Sequence, residues 1–318
     1  MKKTTQTARV ENDLVKKKKK TDKSQIEFWI MCSIPLLFIV VFNYLPLYGI
    51  VIAFKDYKFA RGIMGSDWVG LQNFKILFGS DQLWTIVANT VRMNVVNIIT
   101  GEAACIALAV LLYNLVSSKA TKVFQTALIT PNFLSWVIAS YMAFAFLNPN
   151  YGLLNRILQL FGMQAHDWYS EPNAWRFIIP IANIWKGFGM GSIMYYAALM
   201  AISPELFEAL DIDGGKRWHR LRYIMLPELI PIICIKLIFA VGGIFGGDFG
   251  LFYQLPRNVG ILYPVTDIMP TYTFRLLRVQ GEMSISTAVG LVQSVVGLIL
   301  VLVTNGIVKK IDPERSLF

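Results

Sequence analysis

The chain has 318 residues, of which 55% are hydrophobic and only 16% charged, with a formal net charge of +10 at neutral pH. Soluble domains run nearer about 45–50% apolar and about 25% charged, so this balance excludes an ordinary soluble domain and places the chain in lipid. The excess of basic residues raises nucleic acid as a partner, but no recognition fold or aromatic-interleaved platform accompanies it.

In chain order, residues 1–27 form a basic tail that includes Lys16 to Lys20 and has little to bury, so they are expected to be disordered. A lysine block just ahead of a first span holds that end at an anionic membrane surface. A spanning helix needs about 20 largely apolar residues, set by the thickness of the hydrocarbon core and the rise per residue. Six stretches qualify: 28–54, 84–112, 123–147, 175–201, 229–252 and 287–308. The first is longer than a secretory signal core and lacks a small-x-small cleavage site, so it reads as a retained anchor. The fold expected is all-α: a six-span membrane domain over 28–308, with residues 309–318 as a short tail.

Basic loops stay in the cytoplasm. With the N-terminus inside, the cytoplasmic side collects 18 lysines and arginines and the opposite side 8, counting residues outside the spans. Both termini and the loop between the fourth and fifth spans are therefore expected inside. The external segments 55–83, 148–174 and 253–286 are long enough to meet a soluble partner, with Pro256, Pro264 and Pro270 stiffening the last.

Nothing in the chain reads as catalytic machinery. No Gly-x-x-x-x-Gly-Lys-Ser/Thr cradle for nucleotide phosphates is present, and neither is a nucleophile elbow or a His-Glu-x-x-His pair. The two histidines, His166 and His219, fall on opposite faces of the membrane, and Cys32, Cys105 and Cys234 lie in separate spans without paired spacing. Neither a metal site nor a bound cofactor is indicated.

The fourth loop, 203–227, is the most informative segment. Ser203 suits an N-cap and Pro204 the first helical position. A short helix is expected through Glu205, Phe207, Glu208 and Ala209 to Asp213, ended by Gly214-Gly215, where glycine tolerates positive φ. A second helix is expected from Lys216, with Trp218, Leu221, Ile224 and Met225 on one face and Pro227 ending the regular pattern at the membrane surface. An amphipathic connector at the lipid interface would also accept Trp218 and the arginines. It would not predict Glu208, Ala209 and Gly214 followed at fixed spacing by Ile224, Leu226 and Pro227.

That spacing, Glu-Ala-x, three residues, Gly, nine residues, Ile-x-Leu-Pro, resembles the cytoplasmic EAA loop of permease subunits of binding-protein-dependent ABC importers, in the maltose-type carbohydrate group. The stretches 42–50, 53–57 and 68–74 and, near the end, 271–275 and 288–297 are similar to the subgroup that imports oligosaccharides and polysaccharide fragments, so the resemblance covers roughly residues 28 to 312. It implies a second permease subunit, two cytoplasmic ATPase subunits that bind the ATP, an extracytoplasmic solute-binding protein and an oligosaccharide cargo. It also implies that the loop couples the ATPase to the spans: Glu208 pairs with a basic residue of the ATPase, Ala209 permits close approach, Gly214 makes the turn, and Ile224, Leu226 and Pro227 fix the loop to the bundle. Leu210 stands where the family more often has alanine; it adds bulk and leaves the register, and Asp213 after it, unchanged.

Polar residues inside spans are costly unless they face a cavity or a partner. The candidates for a substrate pathway are Asn89, Arg92, Asn97 and Glu102 in the second span, Asn183 and Lys186 in the fourth, and Asp248 at the outer end of the fifth. Asn94, Asn132, Ser135, Trp136 and Gln293 are weaker candidates. Arg92 and Glu102, ten positions apart, are too distant to pair within one helix, so their partners lie elsewhere. Lys236 would snorkel towards the cytoplasmic face. Two other classes share parts of this pattern: an import permease for a non-carbohydrate solute, and an ATP-independent carrier or channel. No convincing repeat relates 28–147 to 175–308, as a carrier built from two like halves would show.

Overall fold

A computed structural model of the chain describes residues 25–311. Of the tail expected at 1–27, residues 1–24 lie outside the described residues, as do the last seven of the chain, while 25–27 belong to the first helix. Five helices are long and apolar enough to span a membrane: α1 (Gln25–Phe54), α2 (Asp81–Tyr113), α5 (Pro172–Met200), α7 (Arg217–Gly242) and α10 (Met283–Ile311). A sixth region is a pair of helices, α3 (Ser118–Phe133) and α4 (Trp136–Leu147), bent by 100° at the junction. Between α5 and α7 lies the short helix α6 (Pro204–Ile212); beyond α7 come α8 (Phe249–Gln254) and α9 (Met269–Arg275).

Three expectations need correction. The stretch 123–147 is not one straight span. Pro131 drives residues Thr130–Phe133 into a tight 3₁₀ turn, and Ser135 then caps a new helix, its Oγ accepting from the Ile138 N–H at 3.3 Å. The fifth span is displaced toward the loop before it. α7 begins at Arg217, passes without interruption through Pro227 and ends at Gly242, leaving 243–248 irregular. Pro227 does not stop the helix because a π-helical stretch, Arg220–Met225, precedes it and leaves fewer ladder bonds for its ring to break. Third, 253–286 is not a free external segment. Leu262 and Ile268 are fully buried, and Thr266, Asp267 and Thr271 nearly so.

That third segment is held from within. Asp267 forms a buried ion pair with Arg275 and accepts from the Thr271 hydroxyl at 2.6 Å, while the Arg275 guanidinium lies 4.2 Å over the Tyr263 ring. α2 anchors it from outside: Asn89 Nδ2 donates to the Pro264 carbonyl at 2.8 Å, and the Met269 N–H donates to Thr90 Oγ1 at 2.9 Å. Asn89, a pathway candidate by sequence, thus ties α2 to the loop.

α2 and α5 pack along most of their length and carry the rest. At the end distant from α6, Trp175 and Ile179 of α5 join Leu251, Leu255, Leu262 and Ile268 in one core. Burial there pushes the Tyr169 hydroxyl up to about 12, opposed by Arg257. At the other end Tyr195 and Leu199 pack with Cys105 and Ala109 of α2 and Ile224, Met225 and Leu229 of α7. α1 contacts α10 through its last ten residues, whereas Phe28, Trp29, Phe38 and Phe42 remain exposed.

Close approach of α5 to α3 depends on Gly189, where an added Cβ would lie 1.9 Å from the Leu128 carbonyl oxygen; at Gly187, two residues earlier, nothing lies within 4 Å. Gly189→Ala is therefore expected to destabilise by about 1–3 kcal/mol through overpacking, while Gly187→Ala is neutral or stabilising by up to about 1 kcal/mol from helix propensity. Thermal unfolding of the two detergent-solubilised variants checks this, and equal shifts would contradict the α3–α5 contact.

Candidate functional site

Two places stand out, one at the α6 end and one inside the bundle. At the first, Ser203 occupies the N-cap position of α6 without a side-chain bond, and Pro204 opens the helix. Phe207 and Leu210, three apart on one face, turn inward against the lower core, with Phe207 5.9 Å from the Tyr113 ring of α2. Glu208 and Ala209 are exposed, as is Asp213 at the C-cap.

The turn after α6 closes by two backbone bonds. Gly215 N–H donates to the Leu210 carbonyl at 2.8 Å and Gly214 N–H to the Asp211 carbonyl at 3.1 Å, with Gly214 at φ +74. That is the Schellman arrangement, which places a left-handed residue just past the helix end. Arg220 of α7 reaches back to Asp211, its Nε at 3.1 Å from Oδ1 and a second donor on Oδ2. A groove of about 280 Å³ lies between Glu208, Asp211, Pro204 and Phe207 on one side and Tyr113, Asn114, Arg220 and Met225 on the other.

The remaining loop residues divide. Ile224 and Met225 are buried and Leu226 half-buried, but Pro227 is exposed. Trp218, expected on the same apolar face as Leu221 and Ile224, is instead 60% exposed, because the π stretch changes the angular register between it and the residues that follow.

Inside the bundle a cavity of about 610 Å³ is lined by Asn94, Asn97, Asn183, Gly247 and Asp248 among others, where α2, α5, the end of α7 and the start of α8 meet. Three sequence-selected residues, Asn97, Asn183 and Asp248, share it. Asn97 Oδ1 is buried without a hydrogen-bond partner. Asp248 caps α8 through the Leu251 N–H at 3.2 Å and accepts from Trp136 Nε1 at 2.6 Å. Trp136 also walls a second, apolar cavity of about 460 Å³ beside α4 and α5.

Apart from Asn94, the other candidates do not line this space. Glu102 accepts from Lys236 Nζ at 2.8 Å and from the Tyr195 hydroxyl at 2.6 Å, joining α2, α5 and α7. Lys236 therefore pairs within the bundle and does not snorkel to the cytoplasmic face. Arg92 is exposed on α2, on the side turned away from Asn94 and Asn97. Lys186 Nζ donates to the Asn132 carbonyl at 2.9 Å and lies 5.3 Å over the Trp136 ring. Asn94 and Gln293 also go to backbone: Asn94 Nδ2 donates to the Ile244 carbonyl at 2.6 Å and Gln293 Nε2 to that of Phe245. Sequence reasoning ranked these two low because their task, satisfying carbonyls freed where α7 ends, becomes visible only once that break is placed.

The family described as binding-protein-dependent transport system inner membrane component matches residues 106–316. The chain is similar to two proteins of Bacillus subtilis (strain 168). Identity is 33% to protein LplB, over 88% of this chain and 87% of that one. It is 34% to the polygalacturonan/rhamnogalacturonan transport system permease protein YteP, over 87% and 86%. Among solved structures, a chain of a bacterial alginate ABC transporter in complex with an alginate pentasaccharide-bound periplasmic protein superposes with a TM-score of 0.83 at 30% identity, covering 91% of this chain and 96% of that one. A second structure, of an ABC transporter involved in import of the acidic polysaccharide alginate, gives the same TM-score and identity.

Asn94 and Asn97, one turn apart on α2, separate structure from function. Asn94→Leu leaves the Ile244 carbonyl unpaired and is expected to destabilise by about 1–3 kcal/mol. Asn97→Leu breaks no bond and is expected to leave the unfolding midpoint unchanged while lowering solute transport. Thermal unfolding and uptake measured on both variants check this; a destabilised Asn97→Leu would remove the distinction.

Proposed function

We propose, from the premise that this chain belongs to the family of inner membrane components of binding-protein-dependent transport systems, that it carries an oligosaccharide or polysaccharide fragment inward through the bundle cavity, driven by an ATPase engaged at α6. The chain is a multi-pass membrane permease of a carbohydrate ABC importer and not an enzyme. It works with a binding protein that delivers the solute.

The geometry at α6 supports the remaining parts of this reading. Glu208 and Ala209 lie on the exposed face of α6, with Glu205, Leu206 and Ile212, while its other face is locked to α2 and α7 through Phe207, Leu210 and the Asp211–Arg220 pair. That one observation carries the coupling reading. A partner surface that grips Glu208 moves α7 with it, since the turn and the ion pair leave little slack. The partners are two cytoplasmic ATPase subunits, which hold the ATP, and a second, homologous permease chain. The α6 end faces the cytoplasm, with both termini, consistent with Lys216, Arg217, Arg220 and Arg222 clustering there.

Closure of the ATPases on nucleotide shifts the balance between two packings of the spans and changes which side the cavity opens to; hydrolysis restores the first. Asn97 and Asn183 offer the cavity uncharged donors and acceptors suited to sugar hydroxyls.

Co-purification of this chain with its ATPase and second permease tests the reading. Glu208→Lys and Gly214→Pro are expected to lose the ATPase while remaining membrane-inserted, and to lose transport by tenfold or more, about the worth of one broken charge-assisted contact. Retention of the ATPase and normal transport in both variants would defeat the coupling role.

A further inference from the structure

The chain closes its backbone breaks with side chains, and one of the three carries a charge that the task does not need. At the end of α7 the freed carbonyls of Ile244 and Phe245 are met by the neutral amides of Asn94 and Gln293. At the α3–α4 junction the Asn132 carbonyl is met by the ammonium of Lys186. An amide satisfies a carbonyl as well as an ammonium does, and an ion in the middle of a span carries a desolvation penalty that an amide avoids.

Lys186 is the midpoint of the 29-residue α5. Among the described residues no carboxylate forms an ion pair with it, whereas Lys236 of α7 is neutralised by Glu102 at 2.8 Å. Of its three N–H donors one is used, on Asn132. Asn183, one turn earlier on the same face, lines the polar cavity. Trp136 bridges the remaining gap: Lys186 sits over its ring face, and Asp248, which lines the cavity, accepts from its Nε1. Both Asp248 oxygens are engaged, one by Trp136 and one by the Leu251 N–H, so this acid is committed where it stands.

We infer that Lys186 is a specificity-determining residue that selects a carboxylate-bearing glycan, an oligosaccharide containing uronic acid, by holding an ammonium without an ion pair over the Trp136 ring, one helical turn from Asn183 of the cavity that Asn97 and Asp248 also line. This rests on the permease reading above. Neutral sugars meet the asparagines and an Asp248 already engaged by Trp136 and Leu251; a uronate adds a charge-assisted hydrogen bond to Lys186.

The test uses the complete importer in detergent, without its binding protein, so that the permease alone discriminates. The probes are short oligomers of galacturonate and of mannuronate, each against its fully methyl-esterified form, which keeps the ring and removes the charge. The wild type is expected to bind at least one acid about tenfold more tightly than its ester, the effect of one charge-assisted hydrogen bond. Lys186→Gln, which can still donate to the Asn132 carbonyl, is expected to abolish that preference, and Lys186→Arg to retain it. Equal binding of acid and ester by the wild type, no binding of either, a preference that survives in Lys186→Gln, or equal weakening of both ligands in that variant would each overturn the proposal. Should the glutamine variant fail to assemble, the wild-type comparison decides alone. Binding-protein-stimulated ATP hydrolysis, measured on the same wild-type preparation, keeps the two readings apart: its absence refutes the importer, its presence with no acid preference refutes only the role of Lys186.

Discussion

A backbone carbonyl without a partner has no water to turn to in the hydrocarbon region, and irregular backbone is tolerated there only where protein satisfies it. This chain breaks its helical path twice within the membrane domain, between α3 and α4 and after α7. Side chains from other helices meet the freed carbonyls: Lys186 of α5, Asn94 of α2 and Gln293 of α10. These cross-links hold neighbouring spans at fixed positions relative to both breaks. The cavity exists because they do. Its wall at Ile244 to Asp248 is non-helical backbone that would otherwise be forced to ladder or to withdraw.

The same economy sorts the charged residues. Glu102, Lys236 and the Tyr195 hydroxyl form a closed set across three helices, and Asp267 with Arg275, Thr271 and Tyr263 forms another at the end distant from α6. Both sets are internally satisfied and act as rivets. Among the described residues, the buried side-chain atoms without a partner are the Asn97 carbonyl oxygen, at the cavity, and the Tyr169 hydroxyl, in the core at the end distant from α6; Lys186 keeps its charge without an ion pair. In an apolar medium such leftovers persist when something else supplies the missing partner, and in a transport pathway the solute is that partner.

At the α6 end the requirement is stiffness. A helix that transmits force, the role proposed for α6, must not pivot independently of the span it drives. The Schellman closure at Gly214, the inward pair Phe207 and Leu210, and the Asp211–Arg220 bridge each remove one freedom from α6 relative to α7. An exposed ion pair contributes little to stability by itself, but here it spans the turn, where orientation is what matters. α7 then runs through Pro227 into the bundle without a joint, so displacement at Glu208 reaches the Lys236–Glu102 rivet along one continuous helix.

Composition, hydropathy and the spacing from Glu208 to Pro227 by themselves determined that the chain is helical, lies in a membrane and carries a short helix and tight turn ahead of a span, because apolar length and local turn chemistry are written residue by residue. Gly214 illustrates this: its positive φ follows from helix-end chemistry within a few residues. The sequence could not place the two breaks. Pro131 sits at a 100° bend, where Lys186 from a distant part of the chain meets the Asn132 carbonyl, while Pro180, Pro227 and Pro231 are absorbed in continuous helices, and proline alone does not distinguish the two cases. Nor could it separate pathway residues from rivets. Asn89, Asn94 and Asn97 look alike along α2, yet one holds Pro264, one holds Ile244 and one faces the cavity. Only the tertiary structure decides among them, since the partner that consumes a polar group lies as far as 175 positions away in the chain.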